Sequence, residues 1–127
     1  MDLASALKGM INPEELTRLA TSMEFVVDYE RGVETVSAAG ALSVTKKVSL
    51  LSVTGTTAYT LANGTFVGQE KVAICIAGAS TPVGTITAAT PLGHVNVTAI
   101  GAAGDIVVYI WTGAAWVVKG QIGCTIA

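Results

Sequence analysis

The chain has 127 residues with nine acidic and seven basic side chains, one histidine and two cysteines, for a net charge of −2. That length holds one domain with a real core, and two cysteines make no disulfide framework. The balance gives no basic stripe for nucleic acid, and no run approaches the ~20 apolar residues of a membrane helix.

The charges are unevenly placed. Residues 1–41 carry seven acidic and three basic groups; residues 42–127 carry only Lys46, Lys47, Glu70, Lys71, Asp105 and Lys119. Charged residues make up 13% of the chain, against about a quarter in an ordinary folded domain. A surface so poor in charge has little to oppose association, so the long segment is expected to bury part of itself against copies or a larger body.

In chain order, the first elements read as helical. Leu3, Leu7, Met10 and Ile11 recur on one helical face. Asn12 is placed to cap, Pro13 suits a first helical position, and Glu15 stands where a capping box wants it. Leu16, Leu19, Ala20 and Met23 then line a stripe on a second short helix, from about residue 13 to 22. Neither helix is long enough to be stable alone in water, so each stripe must dock. The N-terminus has no basic leader with an apolar core, so no secretory signal is expected.

From Phe25 the period changes. Phe25-Val26-Val27 and Val33–Val36 read as short strands, and Ser37-Ala38-Ala39-Gly40 as a small-residue link. The link divides an arm, 1–40, from a body, 41–127. In the body, strand signals arrive every eight to twelve residues between Gly or Pro turns. They are Lys47–Val53, Thr57–Leu61, Lys71–Ala77, Val83–Thr87, Val95–Ile100, Ile106–Trp111, Trp116–Lys119 and Ile122–Ile126. This cadence predicts an all-β fold, an antiparallel sandwich or jelly-roll-like barrel with a short helical N-terminal arm. Lys71–Ala77 and Ile106–Trp111 are apolar on both faces, which places them between layers or at a subunit interface. Val95–Ile100 alternates with Asn96 and Thr98, as a half-exposed strand does.

The search for chemistry finds no constellation. His94 follows Pro91-Leu92-Gly93 and reads as a turn or strand-edge histidine; the only carboxylates after Glu34 are Glu70 and Asp105. Asp105 follows Gly101-Ala102-Ala103-Gly104, where its carboxylate would close a turn. Those glycines lead into no helix and form no phosphate loop. Asn63-Gly64-Thr65 and Asn96-Val97-Thr98 match the glycosylation pattern, but Asn63-Gly64 reads better as a tight turn with positive φ. Cys75 and Cys124 sit among apolar residues and read as buried thiols; a disulfide needs their strands to be neighbours. Trp111 and Trp116 flank a turn, as a cross-strand pair or as a carbohydrate platform. No catalytic residue, metal site or cofactor is expected.

The run Lys47-Val-Ser-Leu-Leu-Ser-Val-Thr-Gly-Thr-Thr-Ala-Tyr-Thr-Leu-Ala-Asn-Gly-Thr-Phe-Val-Gly-Gln-Glu-Lys71 resembles small virion proteins of tailed bacteriophages. In those proteins a strand, a Thr-Leu-Ala-Asn/Asp-Gly-Thr turn and a Gly-Gln-x-Lys strand entry recur. The end is also similar: Gly104-Asp105-Ile-Val-Val-Tyr-Ile-Trp-Thr-Gly-Ala-Ala-Trp116-Val-Val-Lys-Gly. The resemblance covers about residues 41–127; the arm departs from the simplest members. It implies a capsid decoration or cement protein, or a small head or tail module, on the virion exterior and assembled in the host cytoplasm. Its implied partners are two further copies, in a homotrimer, and the major capsid protein, with no nucleic acid and no membrane. On this reading Leu3, Leu7, Met10, Ile11, Leu16, Leu19 and Met23 dock on capsid or on a sister subunit. The alternative is a tail-fibre or tail-spike tip that binds host surface glycan through Trp111 and Trp116.

Overall fold

The computed structural model describes residues 14, 17, 29–78 and 83–127. The chain divides into two compact units, Met1–Arg31 and Gly32–Ala127. In the first, Glu14, Thr17 and residues 29–31 are helical; the stripe residues Leu3, Leu7, Met10, Ile11, Leu16, Leu19 and Met23 lie outside the described residues, as does the strand expected at Phe25-Val26-Val27. No helix among the described residues is long and apolar enough to cross a membrane.

The second unit is a sandwich of ten strands: β1 Val33–Val36, β2 Gly40–Leu42, β3 Val48–Ser52, β4 Thr57–Leu61, β5 Glu70–Ala77, β6 Gly84–Ala88, β7 Val97–Ile100, β8 Ile106–Trp111, β9 Trp116–Ile122 and β10 Thr125–Ile126. The first sheet runs β1-β3-β5-β8-β9 and the second β10-β7-β6-β4-β2. β1 and β2 therefore belong to the compact body, although they fall mostly before the boundary expected after residue 40. The link at Ser37–Gly40 is a connector of three residues that enters β2 at Gly40.

The all-β sandwich is as expected, but its sheets are mixed, not antiparallel. β1 with β3, β3 with β5, β2 with β4 and β4 with β6 are parallel; β5 with β8, β8 with β9, β6 with β7 and β7 with β10 are antiparallel. The reason is that the chain changes sheet at each of its first five connectors. It lays down three stacked rungs, β1–β2, β3–β4 and β5–β6, and each strand returns one rung on in the same direction. Parallel neighbours need a crossover of about a dozen residues, and residues 37–47 supply one from β1 to β3 with β2 inside it. Short Gly-bounded links look alike in sequence whether they turn back within a sheet or arch across to the facing one.

Strand alternation fills one core from both sheets. Leu51, Ala73, Cys75, Val107, Tyr109, Trp111 and Trp116 come from the first sheet; Leu42, Tyr59, Leu61, Ile86, Ala88, Val97 and Ile100 come from the second. On β5 the smaller face, Ala73 and Cys75, points inward. The large rings of Tyr59, Tyr109, Trp111 and Trp116 are buried in the same core cluster. β7 departs from alternation: Val97 and Ile100, three residues apart, are both buried. Ala99 lies in the left-handed region at φ 61°, and the β6–β7 register shifts between Gly84 and Ile86. This bulge inserts the extra residue that turns both side chains inward. Gly84 faces the bulge, where a Cβ would collide with the Ile100 carbonyl.

Candidate interaction surface

The residues singled out for chemistry serve the fold. Asp105 is buried, and its Oδ2 accepts hydrogen bonds from the backbone N–H of Gly101 at 3.0 Å and Ala102 at 2.9 Å. It closes its turn, as expected. His94 is half-buried, with Nδ1 at 3.2 Å from the Leu92 carbonyl and its ring tilted 6.0 Å from Tyr109. Cys75 and Cys124 are free thiols. Burial raises both above the ordinary thiol range, Cys124 to about 11, with the Asp105 carboxylate adding to the effect. Neither is a ready nucleophile. Among the described residues, no group of three His, Cys, Asp or Glu side chains could hold a metal ion.

The two tryptophans form a cross-strand pair, not an exposed platform. Trp111 and Trp116 are directly opposed in the β8–β9 register, with ring centroids 5.3 Å apart. Trp116 is fully buried and donates from Nε1 to the Ala62 carbonyl at 2.9 Å, while Trp111 is 6% exposed. The nearby Asn63-Gly64 is not the positive-φ turn expected; Gly64 is absent from the residues in that conformation. Its glycine is demanded by packing, since a Cβ would run into the Trp111 indole. With both rings in the core, neither offers a face to a sugar.

One polar network had no signal in the sequence beyond a lysine at a strand start. Lys71 points inward from β5 and is fully buried. Its Nζ donates to the carbonyls of Ser43 at 2.6 Å and Lys46 at 2.8 Å, and lies 3.9 Å from Glu34 Oε1. That carboxylate oxygen accepts from the Ser43 N–H at 2.7 Å and the Ser49 hydroxyl at 2.6 Å. Gln69 completes the clamp by donating to the Val44 carbonyl at 3.0 Å and accepting from the Thr65 N–H at 2.6 Å. The β2–β3 connector is thus tied to β1 and β5. Burial pulls the Lys71 ammonium down to about 8, partly offset by the charge of Glu34.

The outer faces of the sandwich differ sharply. On the second sheet the registered columns are Ala41–Thr60–Thr87, Ala58–Thr85 and Thr98–Thr125, a face of small and hydroxyl side chains. On the first sheet, one column is Val33–Val48–Val72–Val108. The next is Thr35–Leu50–Ile74–Ile106–Ile122. Ile110 and Val117 pair in the same way beside Glu70. At the corners of this aliphatic face Val33 is 54% exposed, Ile76 47% and Ile122 69%. Its charges stand at one margin, where Glu70 lies 2.9 Å from Lys119 and 3.9 Å from Lys47. The hydrogen bond from Lys119 holds the Glu70 carboxyl below the usual range.

The two-sided strands expected at Lys71–Ala77 and Ile106–Trp111 are the central strands of this sheet, with one apolar face in the core and the other outward. Val95–Ile100 is less simple than expected: Val95 precedes β7 and is exposed, and the bulge breaks the alternation. Comparison with protein-family models finds no match for this chain, and no curated protein sequence matches it.

Proposed function

We propose that the chain is a structural protein of a virion, a decoration or cement module on the exterior of a tailed-phage head. It self-associates, as a trimer, and binds the major capsid protein. The observation that carries this reading is the contrast between the outer faces of the sandwich. One is a wet face of Thr and Ala, and the other is a sheet of branched aliphatic columns with charge only at its margin. A face of that kind is a place for association, because apolar area of this extent is rarely left in water. A cement protein grips by many weak contacts that several linked copies make strong together. The likeness of the Lys47–Lys71 run and the Gly104–Gly120 end to small phage virion proteins supplies the setting.

Cryo-electron microscopy of intact particles tests this reading. The expected result is density for the ten-strand body seated on the capsid shell. Particles that assemble fully without the chain, and never contain it, overturn it.

A further inference from the structure

We propose that Asn63 is a site of spontaneous covalent modification, at which the side-chain amide is lost as ammonia to attack by the main-chain nitrogen of Gly64.

Asn63 and Gly64 follow β4, in the connector that leads to β5. Asparagine is thermolabile because the next main-chain nitrogen can close a five-membered ring on its side-chain carbon. A Cβ on the following residue obstructs that closure, and Gly64 has none. Three features of the structure favour the step. Asn63 is exposed, so ammonia departs directly into water. Among the described residues the Gly64 N–H has no hydrogen-bond partner, so no protein hydrogen bond is broken when that nitrogen turns to the side chain. The Thr90 hydroxyl donates to Asn63 Oδ1 at 2.9 Å, which polarises the amide and stabilises the negative charge that develops on this oxygen during attack. The other asparagine of the body, Asn96, precedes the β-branched Val97, and its own N–H and C=O both pair with Ala127.

Gly64 N gives up its proton to hydroxide and bonds to Asn63 Cγ. The Cγ–Nδ2 bond breaks, and the departing amide takes a proton from water to leave as ammonia. Water then opens the resulting succinimide at either carbonyl, giving aspartate or isoaspartate at position 63. The site makes the change consequential. On one side the Ala62 carbonyl accepts from Trp116 Nε1 at 2.9 Å; on the other, a Cβ at Gly64 would meet the Trp111 indole. Isoaspartate lengthens the main chain by one carbon between these two contacts, so the buried tryptophan pair registers it. Either product takes the net charge of the chain from −2 to −3.

Peptide mapping by mass spectrometry of the full folded chain, held for days at neutral and at mildly alkaline pH, tests this. Asn63 should lose ammonia about tenfold or more faster than Asn96, and faster still at the higher pH, where more of the Gly64 nitrogen is deprotonated. Thr90→Val should slow the loss about fivefold, the worth of one hydrogen bond in the transition state, and Thr90→Ser should retain the wild-type rate. Near-ultraviolet circular dichroism of the tryptophans checks that each variant is folded. Tryptophan fluorescence of wild type should drift as the product accumulates, while that of Asn63→Gln stays constant. An Asn63 that survives unchanged, or reacts no faster than Asn96, overturns the inference whatever the variants do. So does a folded Thr90→Val that reacts as fast as wild type.

Discussion

Lys71 shows how a single side chain couples the core to solvent conditions. Its ammonium is fully buried, and desolvation brings it to about 8 from an ordinary value of 10.5. Below pH 8 both folded and unfolded chains hold this proton. Between about pH 8 and 10.5 the folded chain releases it first, so the unfolded state binds more protons and this residue's contribution to stability rises with pH. The raised thiols of Cys75 and Cys124 act in the opposite sense above their ordinary value of 9.0, so the lysine is best isolated by comparison. Relative to Lys71→Met, wild-type unfolding free energy should rise by up to about 3 kcal/mol across that window. Urea denaturation of the two proteins at stepped pH measures it; a constant difference would show that the ammonium is solvated. At Gly64, substitution by Ala should cost about 2 kcal/mol, because the added methyl displaces the Trp111 ring from a filled core. A change in urea midpoint together with altered tryptophan fluorescence would register it, and an unchanged midpoint would mean that Trp111 has room to move.

At the scale of elements, strand positions were legible and strand partners were not. Val33–Val36, Thr57–Leu61 and Ile106–Trp111 coincide with β1, β4 and β8, because β-branched and aromatic runs between glycines mark strands whatever they pair with. Gly40–Leu42 carries little strand signal beside the small-residue link; its two exposed positions hold small residues, and only Leu42 enters the core. The parallel pairing was hidden for a different reason. A short Gly-bounded link fixes where a strand stops, and the facing sheet, not the link, decides where the next strand goes. The β7 bulge offers a direct check. Ala99 at φ 61° bears a left-handed conformation that glycine adopts without a Cβ penalty. Ala99→Gly should therefore stabilise the fold by about 1 kcal/mol, the relief exceeding the entropy added to the unfolded chain. Thermal unfolding should show the gain as a rise in Tm; a fall would mean that the bulge relaxes without strain.

Across the whole molecule, the shortage of charge in residues 42–127 acquires a location. Of the six charged groups there, Lys71 and Asp105 are buried in structural networks, and Lys47, Glu70 and Lys119 cluster at one margin. The faces of both sheets are left to neutral side chains. Period-2 patterning identified the two-sided strands because Val, Ile and Tyr alternate on both sides of β8. It could not tell which side faced the core, since on β5 the smaller residues, Ala73 and Cys75, turn inward. The tryptophans were legible as a pair but not as buried, because their burial depends on Ala62 and Gly64 arching over from another strand's connector. The sandwich thus has one outer face of Thr and Ala and one of branched aliphatic columns. Sedimentation equilibrium of the full wild-type chain at micromolar concentration tests the proposed self-association most directly. The predicted mass is a multiple of 12.9 kDa, and a chain that sediments as a stable monomer would contradict it.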